Sequence, residues 1–188
     1  MILTVQINHD EYRPGTRGEE DGLIERVIKE LDFGENASFV LDANRPGDHI
    51  YPDSVLTVSI NRSTGYGGAV WYSGENYPKQ GGIYESVWVS DNPSPPEIDP
   101  KVLSDVHVPV FMDPASVIPL SSLRQVIEEF CRAKTGDRPC GIQWVKGRIG
   151  GERLDRAEME PVSETHSGAH SLMGALRAHF WANGSAPS

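Results

Sequence analysis

From Ile2 to Asn8 apolar and polar side chains alternate, with Leu3, Val5 and Ile7 on one side and Ile2, Thr4 and Gln6 on the other. Period two belongs to a half-buried strand, so Leu3, Val5 and Ile7 are expected to face a core. Beyond a loop with Pro14, Gly15 and Gly18, the period lengthens. Leu23, Val27, Ile28 and Leu31 share one helical face over 19–33, and Gly34 supplies a stop. Four β-rich runs follow, Ala37–Asp42, Ser54–Asn61, Gly67–Tyr72 and Ile83–Ser90, separated by turn-forming clusters and therefore predicted to form an antiparallel meander. Asp91 to Asp105 holds Pro93, Pro95, Pro96 and Pro100 and reads as an exposed loop. Val106–Phe111 reads as a short edge strand interrupted by Pro109.

Pro119 opens a second helix, about 119–134, whose stripe is Leu123, Val126, Ile127, Phe130 and Cys131, and Gly136 ends it. A last strand, Gly141–Val145, puts Ile142 and Trp144 on one face. Residues 147–165 are polar, and 166–182 can align Leu172, Leu176 and Phe180 on a short helix. These elements predict an α+β protein with a mainly antiparallel sheet of about six to seven strands, two packed amphipathic helices and a C-terminal tail helix. The expected organisation is one domain over 1–146, then a linker and a short helix or tail over 147–188.

Composition narrows the functional classes. The chain has 188 residues and a net charge of -10, with 12 Asp/Glu against 5 Lys/Arg in residues 1–53, and 3 against 5 in residues 119–147. No Lys/Arg run offsets the repulsion of a phosphate backbone, so direct nucleic-acid binding is not expected, whereas an acidic surface draws in basic partners. Two cysteines without a CxxC spacing suit a reducing cytosol. No basic-then-apolar leader and no long apolar stretch is present in the sequence, so a cytoplasmic protein without a membrane span is expected.

Candidate chemistry is sparse. Gly65-Tyr66-Gly67-Gly68 precedes a strand instead of the helix that a phosphate loop requires, which favours a hairpin turn. His166 and His170 have the i, i+4 spacing of metal ligands but lack a third ligand, and His9-Asp10-Glu11 reads as a solvated turn. Cys131 falls on a buried helical face. Cys140 has Arg138 and Lys146 nearby, which could lower a thiol pKa. Trp71, Trp88 and Trp144 lie in strands and belong to the core or its rim, while Trp181 has no clear place. Tyr72, Tyr77 and Tyr84 sit among acidic loops, and Tyr77 in particular is expected to be exposed.

The tract Gly67-Gly68-Ala69-Val70-Trp71-Tyr72, the run Pro109 to Pro119, the helix ending Thr135-Gly136-Asp137-Arg138-Pro139 and the strand with Trp144 resemble immunity protein family one of bacterial polymorphic toxin systems. The likeness covers about residues 37–146. Members of that family are small α+β proteins often paired with deaminase-type toxins. The resemblance implies a binder of a cognate toxin and no enzyme, cofactor or metal. It marks Gly68, Trp71, Pro139 and Trp144, which read as fold positions. The expected contacts with a basic, nucleic-acid-directed toxin are Tyr72, Glu75, Asn76, Tyr77, Asp91, Glu97 and Asp99. The alternatives are a small cytosolic enzyme using Cys140 or His166/His170, or an adaptor in a toxin-delivery assembly.

Overall fold

The computed structural model describes residues 1–8, 10–31, 33–43, 52–75, 77–105 and 110–156. His9, Asn76, Pro109, the His166/His170 pair, Trp181 and the expected tail helix lie outside these residues.

Strand β1 (Ile2–Ile7) is flanked by β2 (Asp10–Tyr12) and β3 (Asn36–Asp42), and the sheet continues through β4 (Ser54–Asn61), β5 (Tyr66–Ser73), β6 (Val87–Asp91) and β10 (Gln143–Gly147). Every pairing is antiparallel, in the order β10-β6-β5-β4-β3-β1-β2. This is the predicted α+β architecture, with a meander running from β3 to β6. One register row crosses all seven strands: Tyr12, Val5, Phe39, Leu56, Trp71, Trp88 and Lys146. Side chains two apart on a strand share a face, so Leu3, Val5, Ile7, Ala37, Phe39, Leu41, Leu56, Val58 and Ile60 line one side and are buried.

Both helices cover that side. Helix α1 (Arg17–Glu30) begins with a capping box: the Glu19 backbone N–H donates to Thr16 Oγ1, and Glu19 Oε2 accepts from the Thr16 N–H at 3.0 Å. Two otherwise unpaired donors of the first turn are satisfied in this way. Ile24, Val27 and Leu31 are the fully buried face, with Leu23 and Ile28 half-buried beside them. Helix α2 (Leu120–Ala133) buries the predicted stripe of Leu123, Val126, Ile127, Phe130 and Cys131. Complete burial of Leu123, Val126, Ile127 and Phe130 contributes about 1.5–3 kcal/mol each. Ion pairs Glu25–Arg124 and Glu20–Lys134 join the two helices across their polar flanks.

The opposite side of the sheet carries a second apolar cluster, in which Val70 and Val89 pack with Val102, Met112 and Val117, and beside it Asn61 of β4 donates to the Pro100 carbonyl. The proline-rich segment expected to be an exposed loop is thus partly core. Its Leu103–Asp105 (β7) pairs with Val110–Phe111 (β8), and Pro100 and Val102 are buried. Residues 111–119 then carry the chain from this layer to α2, through the sheet itself. Strands β5 and β6 pair only at Val70–Val89 and Trp71–Trp88, and below that point they part. Strand β9 (Ile118–Pro119) enters the fork and pairs with Tyr66 and Gly67 of β5. Val117 joins the second cluster and Ile118 the helix-side core, so the crossing falls between these two residues. Buried carbonyls need partners. Here Asn92 supplies them to Ala115 and Val117 at 2.7 Å each, and Ser90 Oγ donates to Ser116.

The fork explains the glycine pair of β5. Gly67 and Gly68 are strand residues, as the run Gly67–Tyr72 predicts, and the hairpin turn lies just before them at Asn61–Gly65, where Gly65 takes the positive φ of 78°. A Cβ on Gly67 would lie 2.7 Å from Leu123 Cδ2, and one on Gly68 would lie 2.2 Å from Met112 Sδ. One strand is therefore gripped from both faces. Asp10 and Glu11, expected in a turn, instead belong with Tyr12 to an edge strand whose backbone pairs with Val5–Ile7. Ile83, taken as the start of a strand, falls in a 3-10 turn (Gly82–Glu85) ahead of β6.

Two glycine substitutions check this packing. Gly68→Ala is expected to lower unfolding free energy by about 1–3 kcal/mol through overpacking against Met112. Gly22→Ala, on the open surface of α1 with nothing within 4 Å, is expected to raise it by about 1 kcal/mol. Urea denaturation followed by tryptophan fluorescence reads both, and equal midpoints for Gly68→Ala and the parent chain would contradict the grip at β5.

Candidate functional site

The end of α2 builds the most organised polar cluster among the described residues. Lys134 closes the helix with φ 50°, and Gly136 follows at φ 77°, a conformation that favours glycine. A Cβ on Gly136 would also come within 2.9 Å of the Tyr77 ring. The turn Thr135–Pro139 thereby lies against the segment that joins β5 to β6.

Asp137 is its hub. The carboxylate accepts from the Tyr77 and Tyr84 hydroxyls at 2.9 Å each, and from Lys79 Nζ at 2.7 Å on both oxygens. Tyr77 Oη also lies 2.8 Å from the Thr135 carbonyl, and its single proton serves one acceptor at a time. Burial alone would raise the Asp137 pKa, but hydrogen bonds from Lys79, Tyr77 and Tyr84 outweigh it and hold the carboxyl below its ordinary value. Both phenols are pushed up, first by burial and then by the carboxylate they serve. Tyr77 is consequently buried, at 2% exposure, and not the exposed loop residue expected from its position between turns. Its ring stacks near Tyr84, with centroids 5.2 Å apart, and Tyr84 meets Trp71 edge-on.

Arg138 follows Asp137 and has a different fate. Its guanidinium lies 4.1 Å over the Trp88 ring, and among the described residues it makes no hydrogen bond or ion pair. One nitrogen, Nη1, is buried without a partner, a condition that costs about 1–3 kcal/mol. Burial lowers the Arg138 pKa. The indoles beside it are fixed: Trp88 Nε1 donates to the Ile83 carbonyl at 2.7 Å and Trp144 Nε1 to the Pro139 carbonyl at 2.8 Å. Pro139 and Trp144 thus hold the turn onto β10, while Gly68 and Trp71 are core, so all four serve packing. An open groove of about 510 Å³ is left between Ile83, Arg138, Pro139, Ile142 and Trp144.

Cys140 borders that groove, and its chemistry is opposite to the expected activation. Glu129 Oε1 accepts from the thiol at 3.0 Å and from the Cys140 N–H at 2.8 Å, while Oε2 takes the Gly141 N–H at 3.0 Å. The hydrogen bond and charge of Glu129 raise the thiol pKa, so the protonated form is favoured over the nucleophilic thiolate. In the core, burial pushes the Cys131 thiol up to about 12. Among the described residues, no group of three His, Cys, Asp or Glu side chains is placed to hold a metal ion.

The expected contact residues do not converge. Tyr72, half-buried on the far face, and the exposed Glu75 lie at the end of β5 where Asp137 sits. Asp91 ends β6 two residues beyond Val89, the partner of Val70, about 13 Å along the strands from Tyr72, and Glu97 and Asp99 follow in the segment after it. Asp91 is a strand residue and not a loop residue: Arg153 Nη1 binds it at 2.7 Å and also donates to the Ala115 carbonyl. Lys101 binds Asp99 through its N–H and its ammonium group, which lowers the carboxyl pKa against the effect of burial. Glu75 and Glu97 keep free carboxylates among the described residues. Lys79 and Asp137 went unnoticed in sequence because their meeting spans 58 residues.

The arrangement of the Gly67-Gly68 strand, the Thr135–Pro139 turn and the Trp144 strand is one that a family model also finds: Immunity protein Imm1 matches residues 9–146. The chain belongs to this family. The match starts well before the Ala37 at which the sequence resemblance begins, so it includes α1 and β3. No curated protein and no solved structure matches the chain. Within this Imm1 fold the Thr-Gly-Asp-Arg-Pro turn joins α2, the β5–β6 connection and the edge strand β10.

Asp137 makes stability depend on pH. Its folded-state pKa is depressed, so its contribution is present above the unfolded value near 4 and is lost as pH falls through the lower folded value. Asp137→Asn is expected to cost about 1–3 kcal/mol at pH 7 and much less near pH 2, read from urea midpoints at the two pH values. A penalty of equal size at both would contradict the charged hub.

Proposed function

We propose that this Imm1 protein acts in the cytoplasm by binding a cognate polymorphic toxin of the nucleic-acid-directed kind and blocking it, so that the producing cell survives. Family membership over residues 9–146 is the observation that carries the reading. The physical features fit a binder. The charge of -10 favours encounter with a basic partner, since long-range attraction raises association rates. Glu75 and Glu97 add exposed carboxylates that have no partner among the described residues. Tyr72 and Glu75 form one proposed contact region and Glu97 another, with Asp91 and Asp99 contributing charge already shared with Arg153 and Lys101; Asn76, outside the described residues, is proposed as a contact from the sequence alone. Tyr77 acts from beneath by holding the Thr135–Pro139 turn.

Among the described residues, no helix is long and apolar enough to cross a membrane. Glu129 holds Cys140 in the form least suited to covalent catalysis. A binder requires neither nucleophile nor metal.

Co-expression with the toxin encoded beside it is expected to restore growth and to give a complex on a sizing column. The association rate is expected to fall roughly tenfold as salt rises from low to high ionic strength, because exposed charges are screened beyond about 10 Å at 0.1 M. A toxin that still kills, and that elutes apart from this chain, would sink the reading.

A further inference from the structure

Among the described residues, Arg138 is a partly buried cation, stacked on Trp88, that has no carboxylate partner. Two carboxylates close to it in sequence or across the groove are already committed. Asp137 is bound to Lys79, Tyr77 and Tyr84, and Glu129 to the thiol and two N–H groups of Cys140 and Gly141. Neither is spare for the guanidinium. Trp88 fixes the cation by stacking, and Trp88 is fixed in turn by its bond to the Ile83 carbonyl. Side chains that fold a protein usually end up paired; Arg138 instead keeps a buried Nη1 with no acceptor.

We propose that the groove beside Arg138 is the toxin's anchoring socket and that it receives an Asp or Glu side chain from a toxin loop. The proposal rests on the toxin-binding reading above and names the contact at its centre. A carboxylate matches the guanidinium fork with two parallel hydrogen bonds and is the ligand class for which arginine is better suited than lysine. A toxin loop seated on Ile83, Pro139, Ile142 and Trp144 would close the groove and keep water from the pair, which strengthens it. At about 510 Å³ the space falls within the range of ligand sites, yet it is open, so it suits a protruding side chain better than an enclosed small molecule. Arginine and tryptophan in a desolvated pocket are also the residues that dominate binding energy at protein interfaces. The division of labour is then physical: exposed Glu75 and Glu97 speed encounter, and the Arg138 socket slows release.

The test is the affinity of the full chain for its toxin, with Arg138→Gln, Arg138→Lys and Arg138→Met beside the parent. Arg138→Gln is expected to weaken binding roughly 30-fold or more, almost wholly through faster dissociation, while the melting temperature holds because no internal hydrogen bond is lost. Arg138→Met keeps an unbranched stem over Trp88 and is expected to lose affinity equally. Arg138→Lys should fall between, with charge but no fork. Affinity unchanged in Arg138→Gln and Arg138→Met, in a complex that still forms, would overturn the socket and leave the toxin-binding reading standing. So would a melting temperature that drops in both variants along with the affinity. If the parent chain forms no complex, that reading fails by itself, and titration of the chain with N-acetyl-aspartate then decides the groove. A saturable shift of the Trp88 indole N–H resonance that Arg138→Gln abolishes supports a carboxylate site. No shift, or a larger one with inorganic phosphate, overturns it.

Discussion

The fold turns on a place where the sheet comes apart. Strands β5 and β6 share two pairs and then diverge, and Ala115–Pro119 passes through the gap from the Met112 layer to α2. Threading backbone through a sheet exposes polar groups to a dry interior, and it is tolerated only if they find partners. Ser90 and Asn92 provide them, with Ser90 Oγ also taking the Ala69 N–H that lost its strand partner. The two layers that meet at the gap press on consecutive residues of one strand, Leu123 on Gly67 and Met112 on Gly68. Any side chain at either position would push a layer away.

This crossing also places the functional end. Because α2 begins at the fork and runs 14 residues, its C-terminus reaches the far end of β5 and β6, where the Thr135–Pro139 turn meets the β5–β6 connection. Asp137 binds that connection through two tyrosines and a lysine, and the adjacent Arg138 is thereby set over Trp88. Asp137 resolves its charge inside the molecule and Arg138 does not. That contrast between neighbours separates a residue spent on structure from one available to a partner.

Much of the fold was legible because it is local. Alternation in Ile2–Ile7, the stripe Leu123 to Cys131 and the turn clusters between strands depend on period and nothing else, and the Thr16-to-Glu19 capping box was present to be read as well. Irregular segments were less legible. Proline content suggested an exposed stretch after Asp91, yet Val102, Met112 and Val117 are fully or almost fully buried, since a layer needs only a few apolar side chains spaced along an irregular backbone. Tyr77 misled for the same reason: its neighbours are turn formers, but its ring serves an acid 60 residues away.

By itself the sequence determined most of the elements, the side that the first strand turns inward, the acidity and, through the order of its motifs, the family. The tertiary structure alone decided which charges remain free. Asp91 and Asp99 looked like loop acids and are tied to Arg153 and Lys101, while Arg138 looked like a turn residue and stands without a counter-ion among the described residues. Pairing of charges depends on distances of a few ångströms between residues far apart in the chain, and period and composition carry no information about such distances.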